Sequence, residues 1–139
     1  MRIILDDRNI TIAGHRFAYG VYYFDSDEFA GLRPSEVMLK ILQQWRRALI
    51  ENAREGRTLF LPVELDDEWV ECIMATSEDD TLTLRHVWAK ENGYSVPTDD
   101  LVSFIFAPHE IRRDLGELGQ YSRQELISAL STPEIALDG

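Results

Sequence analysis

The stretch LFLPVELDDEWVECIMATSEDDTLTLRHVWA, residues 59–89, decides the fold. It contains three runs in which apolar residues recur at every second position, and the polar clusters DDE and SEDD separate these runs. A period of two is typical of half-buried strands, and Asp-rich clusters are typical of the turns that join them. The stretch therefore predicts a three-stranded antiparallel meander whose two acidic clusters lie in its turns.

A second meander is predicted near the N-terminus. The runs RIIL (2–5), NITIA (9–13) and HRFAYGVYYFD (15–25) are rich in aromatic and β-branched residues, and Asp, Asn and Gly separate them. Runs of this composition with turn residues between them indicate strands. We therefore expect three more antiparallel strands before residue 26.

A long helix is predicted between the two meanders. The segment PSEVMLKILQQWRRALIENAREG has apolar residues at three- and four-residue spacing, begins with Pro34-Ser35 and ends at Gly56. This pattern predicts an amphipathic helix over 34–55. Because the apolar stripe occupies one side only, the helix must pack on another layer, and a sheet offers the area.

The C-terminal third gives weaker signals. LVSFIF (101–106) is interpreted as one more strand, and APHEIRRDLGELG (107–119) as a segment with a helical turn. Ser122 and Glu125 form a capping box ahead of a short helix that Pro133 ends.

Together these patterns predict one α+β domain over residues 1–139. We expect an antiparallel sheet of six or seven strands built from two meanders, with one long helix packed on a face and short C-terminal helices. A helix between two sets of consecutive strands leaves part of one sheet face open, where a partner could dock.

The charge of the chain narrows the class of partner. The formal net charge is −11, from 25 acidic and 14 basic side chains, and it repels phosphate backbones and anionic lipid headgroups. Nucleic acids and membrane surfaces are therefore not expected as partners. A basic protein is favoured instead, because opposite potentials steer encounter.

The expected location is the cytoplasm. The start, MRIILDDRN, has an apolar run far shorter than a signal peptide or a membrane span requires. Cys72 is the one cysteine, so an internal disulfide and a Cys-rich metal site are both excluded.

Glu71 and His86 are the only catalytic candidates. If SEDD forms a four-residue turn, Thr76 pairs with Thr81, and Glu71 then lies directly opposite His86 on the apolar face. A carboxylate beside an imidazole can act as a general acid–base couple. The structural alternative is an ordinary cross-strand pair, which contributes about 0.2–1 kcal/mol. A register slip of one residue would send the two side chains to different faces.

No metal site and no cofactor are expected. The segment DSDEFAGLRPSE has Asp25, Asp27 and Glu36 at three ligand positions of a calcium-binding loop. Phe29 and Ala30, however, occupy the positions that need a polar ligand and a turn glycine. No nucleotide-binding or hydrolase motif occurs, and Cys72 has no basic neighbour in sequence to activate its thiol.

The leading functional prediction is a small acidic binding or inhibitory protein that engages a basic partner protein. It is similar in type to bacterial immunity and antitoxin proteins, in its size, its acidity and its lack of catalytic motifs. The predicted partner-binding residues are the turn acids and two tryptophans: Asp66, Asp67, Glu68, Trp69, Glu78, Asp79, Asp80 and Trp88. Because the two turns lie at opposite ends of one strand, only one acidic cluster can be central.

Two alternatives stay open at this point. One is an enzyme or small-molecule-binding domain with a sheet–helix cleft that uses Glu71 and His86. The other is a homo-oligomer, in which a copy of the chain buries the open sheet face or edge.

Overall fold

The structure is a computed structural model. It describes residues 1–19, 31–53, 56–66, 68–91, 96 and 100–136. Within these ranges the elements are β1 (Ile3–Leu5), β2 (Asn9–Ile12), β3 (His15–Ala18), α1 (Pro34–Glu51), β4 (Leu59–Leu65), β5 (Val70–Glu78), β6 (Thr81–Ala89), α2 (Val102–Phe106), β7 (Ile111–Ser122), α3 (Arg123–Ser131) and β8 (Glu134–Ile135).

The strands form two four-stranded sheets. Sheet A has the order β3-β2-β1-β8 and is antiparallel except for β8, which runs parallel to β1; sheet B has the order β4-β5-β6-β7 and is antiparallel throughout. The predicted α+β class and the two meanders are confirmed, but the single sheet of six or seven strands is wrong. Each meander instead forms its own sheet with one late strand: β8 pairs with β1 in sheet A, β7 pairs with β6 in sheet B, and β3 and β4 lie at edges of different sheets.

One face of sheet A is buried. Its inward side chains follow from the register, in which Ile3 pairs with Ile12 and Ile10 pairs with Phe17. These residues and Leu5 are at most 5% exposed. They belong to one hydrophobic core that also includes buried residues of α1 and sheet B.

Helix α1 carries the predicted apolar stripe and is shorter than predicted. Its buried residues are Ser35, Val37, Met38, Ile41, Leu42, Trp45, Ala48 and Leu49. The helix ends at Glu51 rather than at residue 55, because the Asn52 side chain bonds to the backbone of the outgoing chain. Asn52 Oδ1 accepts from Arg57 N at 2.9 Å, and Asn52 Nδ2 donates to Arg57 O at 2.8 Å.

The N-terminus of α1 is capped by a residue distant in sequence. The side chain of Arg33, at the N-cap position, makes no capping bond. Asp7, in the β1–β2 turn, accepts from Ser35 N at 3.3 Å and from Arg33 Nη2 at 2.6 Å. The Arg33 hydrogen bond is the main cause that lowers the pKa of Asp7. Sheet A and α1 are therefore joined at this point by a charge-assisted contact.

Two C-terminal predictions are wrong. Residues 101–106 were predicted as a strand, but Val102–Phe106 is a helix, because a short apolar run has no decisive period. Residues 107–119 were predicted to contain a helical turn, but Ile111–Ser122 is strand β7. Gly116 and Gly119 adopt φ values of 121° and 134° near register shifts, and these irregularities interrupt the alternation. The predicted capping box of Ser122 and Glu125 at α3 is confirmed.

The β5–β6 turn is tighter than predicted. It contains only Asp79 and Asp80, so Glu78 pairs with Thr81. Asp79 has a left-handed φ of 54°, as two-residue hairpin turns with the favoured twist require. The predicted register, in which Glu71 opposes His86, is therefore wrong by two residues.

Arg123 connects three elements from a buried position. It is 8% exposed, and Nη2 donates to Ser77 Oγ at 2.9 Å while Nη1 lies 3.5 Å from Leu49 O. Its backbone N–H donates to Asp80 O at 2.8 Å. The first residue of α3 thus joins the last turns of α1 to the β5–β6 hairpin.

We predict that Arg123→Ala lowers the free energy of unfolding by about 2–3 kcal/mol, because it removes the donor that faces the buried Leu49 carbonyl of α1 and the half-buried Ser77 hydroxyl of β5. Arg123→Lys should recover less than half of this loss, since one ammonium group cannot reproduce the two-armed guanidinium contact. Urea unfolding measures both, with the exposed Gln124→Ala as the control, expected to stay within about 0.5 kcal/mol of the parent. An unchanged unfolding midpoint in Arg123→Ala would contradict this role.

Candidate functional site

Glu71 and His86 are in contact although the predicted register is wrong. Glu71 pairs with Trp88, and His86 pairs with Ile73, so the two candidates are diagonal neighbours. A slip of two residues keeps each side chain on its face. His86 Nε2 lies 2.6 Å from Glu71 Oε1, and the edge of the Phe17 ring from β3 packs on His86 with a centroid distance of 5.0 Å.

A third titratable side chain, Glu64, joins this pair. Strand β4 has a bulge after Pro62, so that Pro62 opposes Cys72 and Glu64 opposes Glu71. Regular pairing would have placed Val63 opposite Glu71 and turned Glu64 to the other face. We refer to Glu64, Glu71 and His86, which lie on three neighbouring strands, as the Glu–Glu–His row.

The electrostatics of the row indicate where its protons lie. Partial burial, together with the charge of Glu71 and the hydrogen bond to it, raises the pKa of Glu64 to about 7 from an ordinary value of 4.5; the charge of Asp66 contributes least. A hydrogen bond between two carboxyl groups requires a proton on one of them, and the raised pKa of Glu64 assigns that proton to Glu64. Glu71 then accepts from Glu64 on one side, and on the other side it lies 2.6 Å from His86 Nε2.

Sequence reasoning missed Glu64. Leu61, Val63 and Leu65 alternate with it and assign it to the opposite face from Glu71. Pro62 was the available signal, because a proline in a strand marks an edge strand or a bulge.

The predicted tryptophan anchors are packed with arginines. The Trp69 and Trp88 rings stack at 4.7 Å with an interplanar angle of 16°. Arg112 lies over Trp69 at 5.4 Å and Arg113 over Trp88 at 5.1 Å. This end of sheet B therefore presents guanidinium groups beside its aromatic faces.

The acidic turn next to these tryptophans is only partly described. Asp66 Oδ1 accepts from the exposed Glu68 at its backbone N–H, at 3.2 Å. Asp67 lies outside the described residues, as do Asp25 and Asp27 of the calcium-like pattern. Glu36 of that pattern is exposed in the first turn of α1.

The second acidic cluster lies at the other end of β5. Glu78, Asp79 and Asp80 are all exposed, and no ion pair joins any of them to a cation within the described part of the chain. We call these three residues the acidic tip. The structure thus keeps the two predicted acidic clusters apart.

Cys72 is fully buried in β5. Burial, followed by the charge of Glu71, raises the pKa of its thiol. A thiol in this environment is not activated as a nucleophile. Within the described ranges, no group of three or more His, Cys, Asp and Glu side chains is placed to hold a metal ion.

The structure has a surface cleft that does not include the Glu–Glu–His row. It has a volume of about 480 Å³ and is lined by Arg57, Thr58, Phe60, Phe106, Pro108 and His109. The predicted cleft around Glu71 and His86 is therefore not this one.

No helix in the described residues has the length and apolar character to cross a membrane. Comparison of the chain with known protein families, curated proteins and solved structures finds no match.

We predict that Cys72 in the folded protein reacts with a disulfide reagent at least about 100-fold more slowly than in the urea-unfolded chain, because its thiolate is disfavoured and shielded. Thiol labelling at about pH 8 measures the two rates. Comparable rates would show that the thiol is accessible and would restore Cys72 as a candidate nucleophile.

Proposed function

We propose that the protein is a small acidic binding protein that engages a basic partner protein through the acidic tip. The observation that supports this choice is the different surroundings of the two acidic clusters. Arg112 and Arg113 lie over the tryptophans at one end of sheet B, whereas the acidic tip has no described cation paired with it. A cationic surface of a partner would therefore face less competition from the protein's own arginines at the tip.

The backbone of the acidic tip is well supported. Asp79 and Asp80 form the whole turn between two long paired strands, and Asp80 O accepts from the Arg123 N–H at 2.8 Å. A binding loop held in place before association loses less conformational entropy on binding. The hairpin therefore suits a role as a fixed anionic surface.

The net charge of −11 acts at longer range. It raises the rate of encounter with a basic protein, and salt screens it over about 8–10 Å at physiological ionic strength. A partner with a patch of Lys and Arg side chains fits this field. An inhibitory role of the immunity or antitoxin type, carried out in the cytoplasm, would follow if the partner were a basic enzyme.

The acid–base alternative has one supporting observation, the 2.6 Å contact of His86 and Glu71 extended by Glu64. The same contact would also form if the three side chains had only a structural role. A general acid–base role would require a substrate-sized cavity beside the row, and the cleft lined by Arg57, Phe60 and His109 does not include it. We therefore give precedence to the binding proposal.

We predict that the triple variant Glu78→Gln, Asp79→Asn, Asp80→Asn loses a basic partner that the parent protein captures from a lysate of its own cells. Asparagine tolerates the left-handed φ at position 79, so the turn should persist. Mass spectrometry identifies the retained proteins. Retention by the parent should fall when NaCl is raised from about 50 to about 300 mM.

The matched control removes three exposed carboxylates elsewhere: Glu36→Gln, Glu110→Gln and Glu117→Gln. It changes the net charge equally and should keep most of the binding. An equal loss of partner binding in both triple variants would show that net charge alone causes the effect. The acidic tip would then no longer be part of the proposal. Capture of no basic protein by the parent would contradict the proposal itself.

A further inference from the structure

We propose that the Glu–Glu–His row is a proton-operated switch that loosens the β4–β5 end of sheet B as the pH rises through neutrality. The inference goes beyond partner binding and uses different residues from the acidic tip. It can therefore fail or succeed independently of the proposed function.

The bulge in β4 is the geometric basis of the switch. Pro62 has no N–H for the strand ladder, and the register shift directly after it brings Glu64 to the face of Glu71. Bulges are common where a strand must re-aim a side chain. In this case the bulge produces a contact between two acidic side chains that regular pairing would separate.

The charged groups around Glu64 come from each element that packs there. Glu71 on β5 and Asp66 after β4 both act on Glu64 with negative charge. His86 on β6 contacts Glu71, and β3 contributes the uncharged Phe17 ring against His86. Within the described residues, no cation forms an ion pair with Glu64, so a proton is the group that relieves the repulsion.

The direction of the pH effect follows from Glu64. Its pKa is raised to about 7 in the folded protein from 4.5. The folded state therefore binds this proton more tightly than the unfolded chain does. The stability that the proton contributes is fully present below about pH 4.5 and is lost as the pH rises through about 7. Because Glu64 is only half-buried, solvent screening reduces the effect.

Loss of the proton has a local structural consequence. The contact between Glu64 and Glu71 changes from a hydrogen bond to a repulsion between two carboxylates. Strand β4 is an edge strand of sheet B, so within the described ranges the sheet bonds its backbone on one side only. The repulsion is therefore expected to loosen the end of β4 after the bulge, where Glu64 pairs with Glu71 and Leu65 pairs with Val70.

The first measurement is the titration of the Glu64 carboxyl carbon by NMR in the parent protein. A midpoint near 7 supports the switch, and a midpoint near 4.5 overturns it. In Glu71→Gln the midpoint should move down but stay above 4.5, because the neighbouring charge is gone while burial, the largest cause of the raised pKa, remains. This measurement needs only folded protein and does not depend on the behaviour of Glu64 variants.

The second measurement compares Glu64→Gln with the parent by thermal unfolding. Glutamine can donate to Glu71 at every pH, so the variant should match the parent at about pH 5 and melt about 3 °C higher at about pH 8. Glu68→Gln, at an exposed position between β4 and β5, is the matched control and should follow the parent at both pH values.

Amide hydrogen exchange tests the location of the opening. At about pH 8, amides in 64–71 of the parent should exchange about fivefold faster than those of Glu64→Gln, and amides in the centre of β6 should not differ. The switch would be overturned if the amides in 64–71 exchanged equally fast in the parent and in Glu64→Gln while the NMR titration of Glu64 had a midpoint near 7. Glu64 would then titrate without changing the structure.

Discussion

The register of β5 against β6 is the constraint on which the rest of the structure depends. Both faces of this pair are apolar over part of their length: Val70, Cys72, Val87 and Ala89 are buried on one, and Ile73, Ala75, Leu82 and Leu84 on the other. A shift of one residue would turn every side chain of one strand to the opposite face of the sheet. It would disrupt the apolar packing on both faces. The two-residue turn at Asp79 and Asp80 sets this register, and the positions of β4 and β7 follow from it.

Local patterns predicted the parts of the fold that local physics controls. The apolar stripe of α1, the capping box at Ser122 and the alternation of the first six strands are properties of short windows, and the structure contains all of these elements. The division into two sheets depends on where the late strands β7 and β8 pair, and β8 has only two residues. No short window contains that information. The cap that Asp7 places on α1 is non-local in the same way.

The sequence predicted two of the three residues in the Glu–Glu–His row. Glu71 and His86 meet because the error in register was an even number of residues, which preserves the faces of a strand. Glu64 was missed because a bulge reverses the alternation from which its face was inferred. Asp79 and Asp80 of the acidic tip were predicted correctly as turn residues, whereas Glu78 lies in β5. The contrast with the other acidic cluster depends on Arg112 and Arg113, which belong to a strand that the sequence did not predict.

Strand β7 has a further consequence for the behaviour of many copies of the chain together. It is an outer strand of sheet B, 12 residues long and largely exposed, and such a strand can serve as a template for fibril growth. Three register shifts and two glycines in conformations unusual for other residues make its outer rim uneven. An incoming strand would find its hydrogen-bonding groups out of step after a few residues. The same irregularities that conceal β7 in the sequence therefore disfavour the addition of another strand along this edge of sheet B.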